Sequence, residues 1–517
     1  MQPFRRSWAR EEGIALVLAM FMVLVVSMLG ASLVGVGRSE TLSSLNYKTL
    51  SQARYAAESG LNSATNYLLF TYTAPGNDAA DAIASYQWEN TSPVLYNGAP
   101  VVLSSDVNES NYPIAAKKNA FAAAAKNKLT MGTSRAEFTA TATLLSMRRF
   151  ADAITLSDVT IQTWEITGTG TLDGAGAANV EVTAIIEKQA VPTFRYAAFA
   201  TAKGCKALTF GGGGSTDSYD SSAALAAGTP VKSDTGGNVG TNGGLDAGGD
   251  TTIINGTLST PRSGVGSCTA NNVTALDIAG NSNAEVTGGL VDLPQNVTYP
   301  DPPEIIPAPP TTATNVTKMG GCGAIGSCAV LQDTSVPPKN IGVTLSPAAG
   351  VVHSLGNVIL GANSTIRLNA GTYEWNSISL NGTVTIEIAS GPVIMRFAGK
   401  DQATPINLTG GSISNPSFKP ENFQLIYAPD AADLAAIKAG TLTRDVKVTG
   451  GSETSLLLYA PRADGTVAGG TDIFGALVVN KLKDMGTTAI HYDRNLQRAA
   501  MTSGNPTMTS FSWSSAD

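Results

Sequence analysis

The chain is poor in charge and nearly devoid of histidine. Lys, Arg, Asp and Glu make up 14% of its 517 residues, well under the usual quarter. Their balance is −7, with an isoelectric point near 5.1. No basic field exists for a phosphate backbone, so nucleic acid is excluded as a partner class. The two histidines, His353 and His491, lie far apart in the sequence. "AIHYD" reads as a strand end in which His491 makes an interior hydrogen bond rather than a general base. G-x-S-x-G, H-E-x-x-H and P-loop patterns are absent, which removes the common local signatures of hydrolases, zincins and NTPases. In their place stand 54 glycines. After residue 200 Gly, Ala, Thr, Ser and Asn dominate, a mixture that suits short strands joined by tight turns. The length calls for two or more domains.

The one long apolar run stands near the amino terminus. No charged residue occurs from Ile14 to Gly37, enough helix to span a bilayer core. Arg5, Arg6 and Arg10 precede it and would hold that side in the cytoplasm. A cleaved secretory signal has a shorter apolar core and a small-x-small site. Here the helical pattern continues through residues 39–70, with Leu42, Leu45, Ala53, Ala56, Ala57, Gly60, Leu61, Ala64 and Leu68 on one amphipathic stripe. One long helix is expected, beginning in a membrane and ending against a soluble domain. Gly30, Gly35 and Gly37 would either let it unwind at the membrane exit or permit close helix packing.

"GIALVLAMFMVLVVSMLGASL" followed by "SQARYAAESGLNSA" resembles the amino-terminal region of PilX-type minor pilins of type IV pili, across residues 1–70. The resemblance implies that prepilin peptidase cuts between Gly13 and Ile14 and that the new amino group of Ile14 is methylated. It also implies other major and minor pilins as partners through this helix. The location implied is the bacterial inner membrane before assembly and a surface pilus or pseudopilus afterwards. The plainer alternative is a signal anchor with an incidental glycine. One position departs from the family: where major pilins carry a glutamate, this chain has Leu18. A carboxylate in hydrocarbon is costly and persists only for a purpose. In the family it pairs with the amino terminus of the next subunit, so its loss favours a tip or initiating subunit; an internal subunit tolerating the loss is the rival.

Residues 71–190 read as mixed α and β: a helix over 114–129, strands over 135–147, 159–174 and 179–188, the last two as a hairpin. Beyond Pro192, β-branched runs broken by Gly, Asn or Asp every 8–12 residues suggest a β-sandwich or, more strongly, a parallel β-solenoid of irregular period. The fold class expected is α+β, a long pilin helix with a small antiparallel sheet followed by a large all-β domain. The domain scheme is 1–13 leader, 14–37 membrane and pilus-core helix, 38–190 pilin-like domain, 191–298 and 316–517 β-rich solenoid regions, and 299–315 a proline-dense segment. That segment either divides two lobes or wraps the outside of one. A short helix is expected over 430–439.

Cys205, Cys268, Cys322 and Cys328 lie downstream of the apolar run, where disulfides are compatible with location. Cys322 and Cys328 suit a small closed loop, with free thiols as the alternative; C-x5-C without a nearby histidine argues against zinc. Asp217, Asp220, Asp246 and Asp250 are weak calcium candidates, since carboxylates in such turns more often bond the turn backbone. No metal or other cofactor and no catalysis are expected. The function implied is a minor pilin at or near a pilus tip, acting in assembly, with a surface or glycan ligand for the β domain. The alternatives are a tip pseudopilin of type II secretion and a membrane-tethered polysaccharide-active enzyme.

Overall fold

The computed structural model describes residues 12–76, 81–131, 134–152, 154, 157–172, 177–211, 213–247, 252–261, 265–268, 272–274, 284–316, 328–361, 363–449, 451, 453–468, 472–485, 487–499 and 501–515. The chain forms two compact units. The first comprises Met1–Phe150, Val159–Gln189 and Gly504–Asp517; the second comprises Ala151–Asp158 and Ala190–Ser503.

The first unit is organised by one helix, Glu12–Phe70, about 88 Å long at the standard rise. Gly30, Gly35 and Gly37 lie inside it without a break. Its carboxy-terminal half buries Ala53, Ala56, Ala57, Leu61, Ala64 and Leu68 against a sheet. Leu42 and Leu45, expected on the same stripe, stay exposed at 61% and 52%, because burial on the sheet begins only near Ala53. The sheet runs in the order Met501–Ser515, Ala178–Pro192, Asp158–Leu172, Ser134–Ala151, Val102–Ser104. Asp158–Leu172 and Ala178–Pro192 pair antiparallel from Thr163↔Glu187 to Leu172↔Ala178, the hairpin expected from the sequence.

Helix and sheet meet through absent side chains. A Cβ on Gly168 would fall 2.3 Å from the Ala57 carbonyl, and one on Gly170 would fall 2.0 Å from that of Ala53. Alanines on the helix and glycines on the strand let the two backbones approach this closely.

The predicted helix over 114–129 is shorter, Ala115–Ala124. Asn127–Met131 instead pairs with the strand Ser134–Ala151, in register Asn127↔Phe138 and Leu129↔Ala136. Leu129 packs beside Ala136 and Phe138, and Lys128 sits 3.5 Å from Glu137. Tertiary packing here overrides the helical propensity of the alanine-rich run. Asp81 stitches the short helix to the preceding loop. It accepts hydrogen bonds from Tyr86 Oη (2.6 Å), Tyr112 Oη (2.9 Å) and Lys117 Nζ (2.5 Å).

The second unit is a stack of parallel coils. Each coil contributes one buried aliphatic or aromatic residue to each column that runs along the stack. One column is Val343↔Ile366↔Ile386↔Ile413. Another is Tyr373↔Met395↔Leu425↔Leu458↔Leu477↔Ala198↔Val239↔Leu258↔Leu290. The residues of these columns from Tyr373 to Leu258 and from Val343 to Ile413 are buried, so parallel pairing and core packing are repeated coil by coil.

The second column exposes a connection that is not sequential. Leu477, near the end of the unit, stacks on Ala198, near its beginning. All three strands of that early coil do the same: Leu208 pairs with Leu482, and Ser215–Tyr219 runs beside Ala489–Asp493. The regions 191–298 and 316–499 therefore form one continuous stack rather than separate lobes, while Met501–Ser515, expected in the solenoid region 316–517, joins the sheet of the first unit instead. An uncapped coil would leave a row of unpaired backbone groups, and here each region covers an edge of the other.

The proline-dense segment returns along the outside of this stack. Asn242 holds Val297 through both its amide oxygen (2.8 Å) and nitrogen (2.9 Å). Tyr459 Oη donates to Pro300 O at 2.6 Å, and Arg396 Nη2 donates to Pro303 O at 2.5 Å. Asn357 Nδ2 donates to Thr311 O at 2.6 Å. These four anchors belong to successive parts of the stack, and the strap's own Tyr299 and Ile305 are buried. Proline suits the role because it needs no ladder partner for a missing N–H. A short helix, Ala431–Lys438, projects from one coil and is capped by Asp430, which accepts from the Asp433 N–H at 2.8 Å.

Candidate functional site

The amino-terminal half of the long helix is long and apolar enough to cross a membrane. Ile14, Leu18, Phe21, Leu29 and Leu33 are each at least 60% exposed. Within this run Ser27 Oγ donates to Val23 O at 2.6 Å, one turn back along the helix. That is what a hydrocarbon environment demands of a polar atom. Leu18 is 60% exposed and supplies no carboxylate. Of the candidate processing residues, Gly13 lies within the helix and Ile14 exposes its side chain.

Two of the four aspartates singled out in the sequence, Asp217 and Asp220, belong to the seam between the early and late coils. Asp217 and His491 are register partners across it, and His491 Nδ1 hydrogen-bonds the Asp217 carboxylate. His491 Nε2 lies 3.4 Å from Asp472 Oδ2, and Lys232 Nζ approaches that same oxygen at 2.7 Å. Burial of His491 would lower its pKa, but the hydrogen bond to Asp217 and the nearby Asp472 carboxylate outweigh it and raise the pKa above the ordinary histidine value. Asp472 is held well below the usual carboxylate range, chiefly by His491 and then by Lys232. Asp220 accepts from the N–H and hydroxyl of Ser222 and from Asn495 Nδ2, and these bonds hold its pKa near about 2. Asp493 is buried and accepts the Ser221 N–H at 3.1 Å across the same seam.

Asp246 is paired with Lys206 at 2.9 Å; Asp250 lies outside the described residues. Among the described residues no group of three or more His, Cys, Asp or Glu could hold a metal ion. Cys205 and Cys268, 63 positions apart in sequence, form a disulfide. Cys328 is also disulfide-bonded, and Cys322 lies outside the described residues. His353 packs against Tyr373 with ring centroids 5.6 Å apart. The seam was missed in the sequence because its two sides stand 240 or more positions apart; the one available signal was a histidine flanked by β-branched and aromatic residues.

Residues 12–62 match the PilX N-terminal family model. Residues 348–499 match a domain family of unknown function, DUF7305. No match was found among curated proteins. Among solved structures, the competence-associated pilin ComZ from Thermus thermophilus aligns at 13% identity, over 90% of this chain and 98% of its own, with a TM-score of 0.23. A superposition that loose carries no argument. The family match covers the membrane half of the helix and the start of its packed half. Residues 12–62 are thus similar to the amino-terminal region of PilX-type pilins, and a large β domain follows them.

Proposed function

We propose that this chain is a minor pilin at or near the tip of a type IV pilus, assembling through Ile14–Gly37 and displaying its solenoid outward for surface contact. The observation that carries this reading is a single helix with two chemistries. Its first half is apolar and exposed, and its second half is fastened to a sheet by the Gly168 and Gly170 approach. Such a helix serves as a membrane anchor before assembly and packs with other pilins after it. Prepilin peptidase would release Ile14, whose amino group is then methylated. Leu18 supports a terminal position, since a subunit with nothing ahead of it needs no carboxylate to pair with a neighbour's amino terminus.

Mass spectrometry of sheared surface fibres tests the reading. The expected mature terminus is methyl-Ile14, and recovery only of termini beyond Gly37 sinks it. Gly13→Ala is expected to leave unprocessed protein in the membrane. Gold labelling of the β domain should decorate fibre ends, and labelling along the shaft would refute the tip position. Leu18 equally favours a second reading, the tip pseudopilin of a type II secretion system. Recovery in the periplasm without surface fibres selects it.

A further inference from the structure

Thr201, Lys203, Asn242, Thr298, Tyr299 and Arg462 line a cavity of about 160 Å³ on the second unit, where the proline strap begins. Its walls are built by groups whose hydrogen bonds are already used. Thr201 Oγ1 donates to Pro461 O at 2.7 Å, and the Asn242 amide is fully engaged with Thr201 and Val297. Other donors remain open. Lys203 is exposed and makes no ion pair among the described residues. Arg462 directs Nε (2.6 Å) and Nη2 (3.4 Å) at Asp301, and its Nη1 has no hydrogen bond among the described residues. Asp301 is paired a second time, with Lys438 at 2.8 Å. The lining thus carries two cations and no carboxylate, in a chain whose net charge is −7.

The cationic loop is also held from both sides. Thr201 N and Ala202 N donate to Val479 O and Asn480 O at 2.9 and 2.8 Å, and Gly204 O accepts the Gly244 N–H at 2.9 Å. Cys205, two residues beyond Lys203, is tied to Cys268. Fixed donors bind a ligand with less ordering cost than mobile ones.

We propose that this cavity binds a small anionic group, the carboxylate of an acidic sugar or a phosphate, with Lys203 Nζ and Arg462 Nη1 as charged donors and Thr298 Oγ1 as a neutral one. Charge-assisted donors suit such oxygens. The site deepens the display role proposed above by naming a ligand class, and rests on that reading for its biological setting only.

Calorimetry on the detergent-solubilised full chain tests it, with glucuronate, inorganic phosphate and neutral methyl glucoside as probes. Saturable binding of at least one anion is expected, with methyl glucoside much weaker. Lys203→Gln, a surface change that should leave the melting curve unmoved, is expected to weaken binding about tenfold. Cys268→Ser is expected to weaken it severalfold by loosening the loop. Glucuronate above phosphate assigns an acidic sugar and the reverse a phosphate group, and either ranking upholds the site. The proposal is overturned by no saturable binding of either anion, by equal binding of methyl glucoside, or by unchanged affinity in Lys203→Gln. The assay contains no filament. Its failure would remove the pocket alone, whereas failure to find Ile14 as the mature terminus would remove the filament reading alone.

Discussion

The two units of this chain are held together on opposite plans. The first depends on one helix lying against one sheet, with Gly168 and Gly170 setting the distance between backbones. Its strength is concentrated at a few positions where nothing larger fits. The second repeats the same contact many times, each coil adding one residue to a column such as Tyr373 to Leu290. Its strength is distributed, and its weak places are the seam, where distant segments meet, and the strap that runs outside. A clash should therefore be ruinous in the first unit, and a cavity or lost bond graded in the second.

The largest expected effect is that of Gly170→Val. The new side chain would meet the Ala53 carbonyl and the Ala57 N–H, an overpacking against backbone that cannot yield. A loss of more than about 4 kcal/mol is expected, read as collapse of amide-exchange protection in the first unit while the coils stay protected. Equal loss in both units would erase the contrast.

Removing the Cys205–Cys268 disulfide by Cys268→Ser comes next. With the cysteines 63 positions apart, chain-entropy reasoning assigns it about 4 kcal/mol as an upper figure. Denaturation of the second unit should shift to lower denaturant, and an unmoved midpoint would mean the coils alone hold this region. Leu458→Ala in the central column is expected to cost about 3 kcal/mol. Loss of exchange protection should be greatest in the adjoining coils, grading outward if stability is distributed as in other stacked repeats.

The smallest effect is the most diagnostic. Protonated His491 is held between Asp217 and Asp472, with its pKa raised above the unfolded value. Its contribution is fully present below about pH 6.5 and lost as pH rises through the higher folded value. Asp472, whose pKa is lowered, contributes above about pH 4 and loses its contribution as pH falls through its folded value. The seam should accordingly be tightest between those limits. Stability of the second unit is expected to decline from pH 6 to pH 9, and His491→Gln is expected to remove about 1 kcal/mol at pH 6 and flatten that slope. A slope retained in His491→Gln would place the titration elsewhere.

Much of the fold was legible because its signals are local. The uncharged run from Ile14 to Gly37, the small-residue stripe from Ala53 to Leu68 and the alternation in residues 159–188 each express one period of one element. The helix over 114–129 failed at its end because Leu129 gains more by packing on Phe138 than by continuing a turn. The aspartates were found, but only part of their meaning was. Asp220 bonds its own turn at Ser222, as a turn carboxylate should, and also accepts from Asn495; Asp217 drew notice as a turn carboxylate, whereas the structure gives it His491 as partner. Local sequence contains no trace of a partner that far away.

The sequence by itself determined the elements and their faces: a helix that is apolar first and amphipathic afterwards, and short strands, some burying every second residue and the central ones buried throughout. Only the tertiary structure decided the order in which those pieces stack. Coil 198–219 follows coil 473–493, the strap crosses the outside from Asn242 to Asn357, and strand Met501–Ser515 returns to the sheet of the first unit. The physical reason is that a strand's hydrogen-bonding edge is nearly generic. Its pattern of buried and exposed residues says which face turns inward, while the choice of neighbour along the stack is fixed by which exposed edges remain to be covered once the rest of the chain has folded.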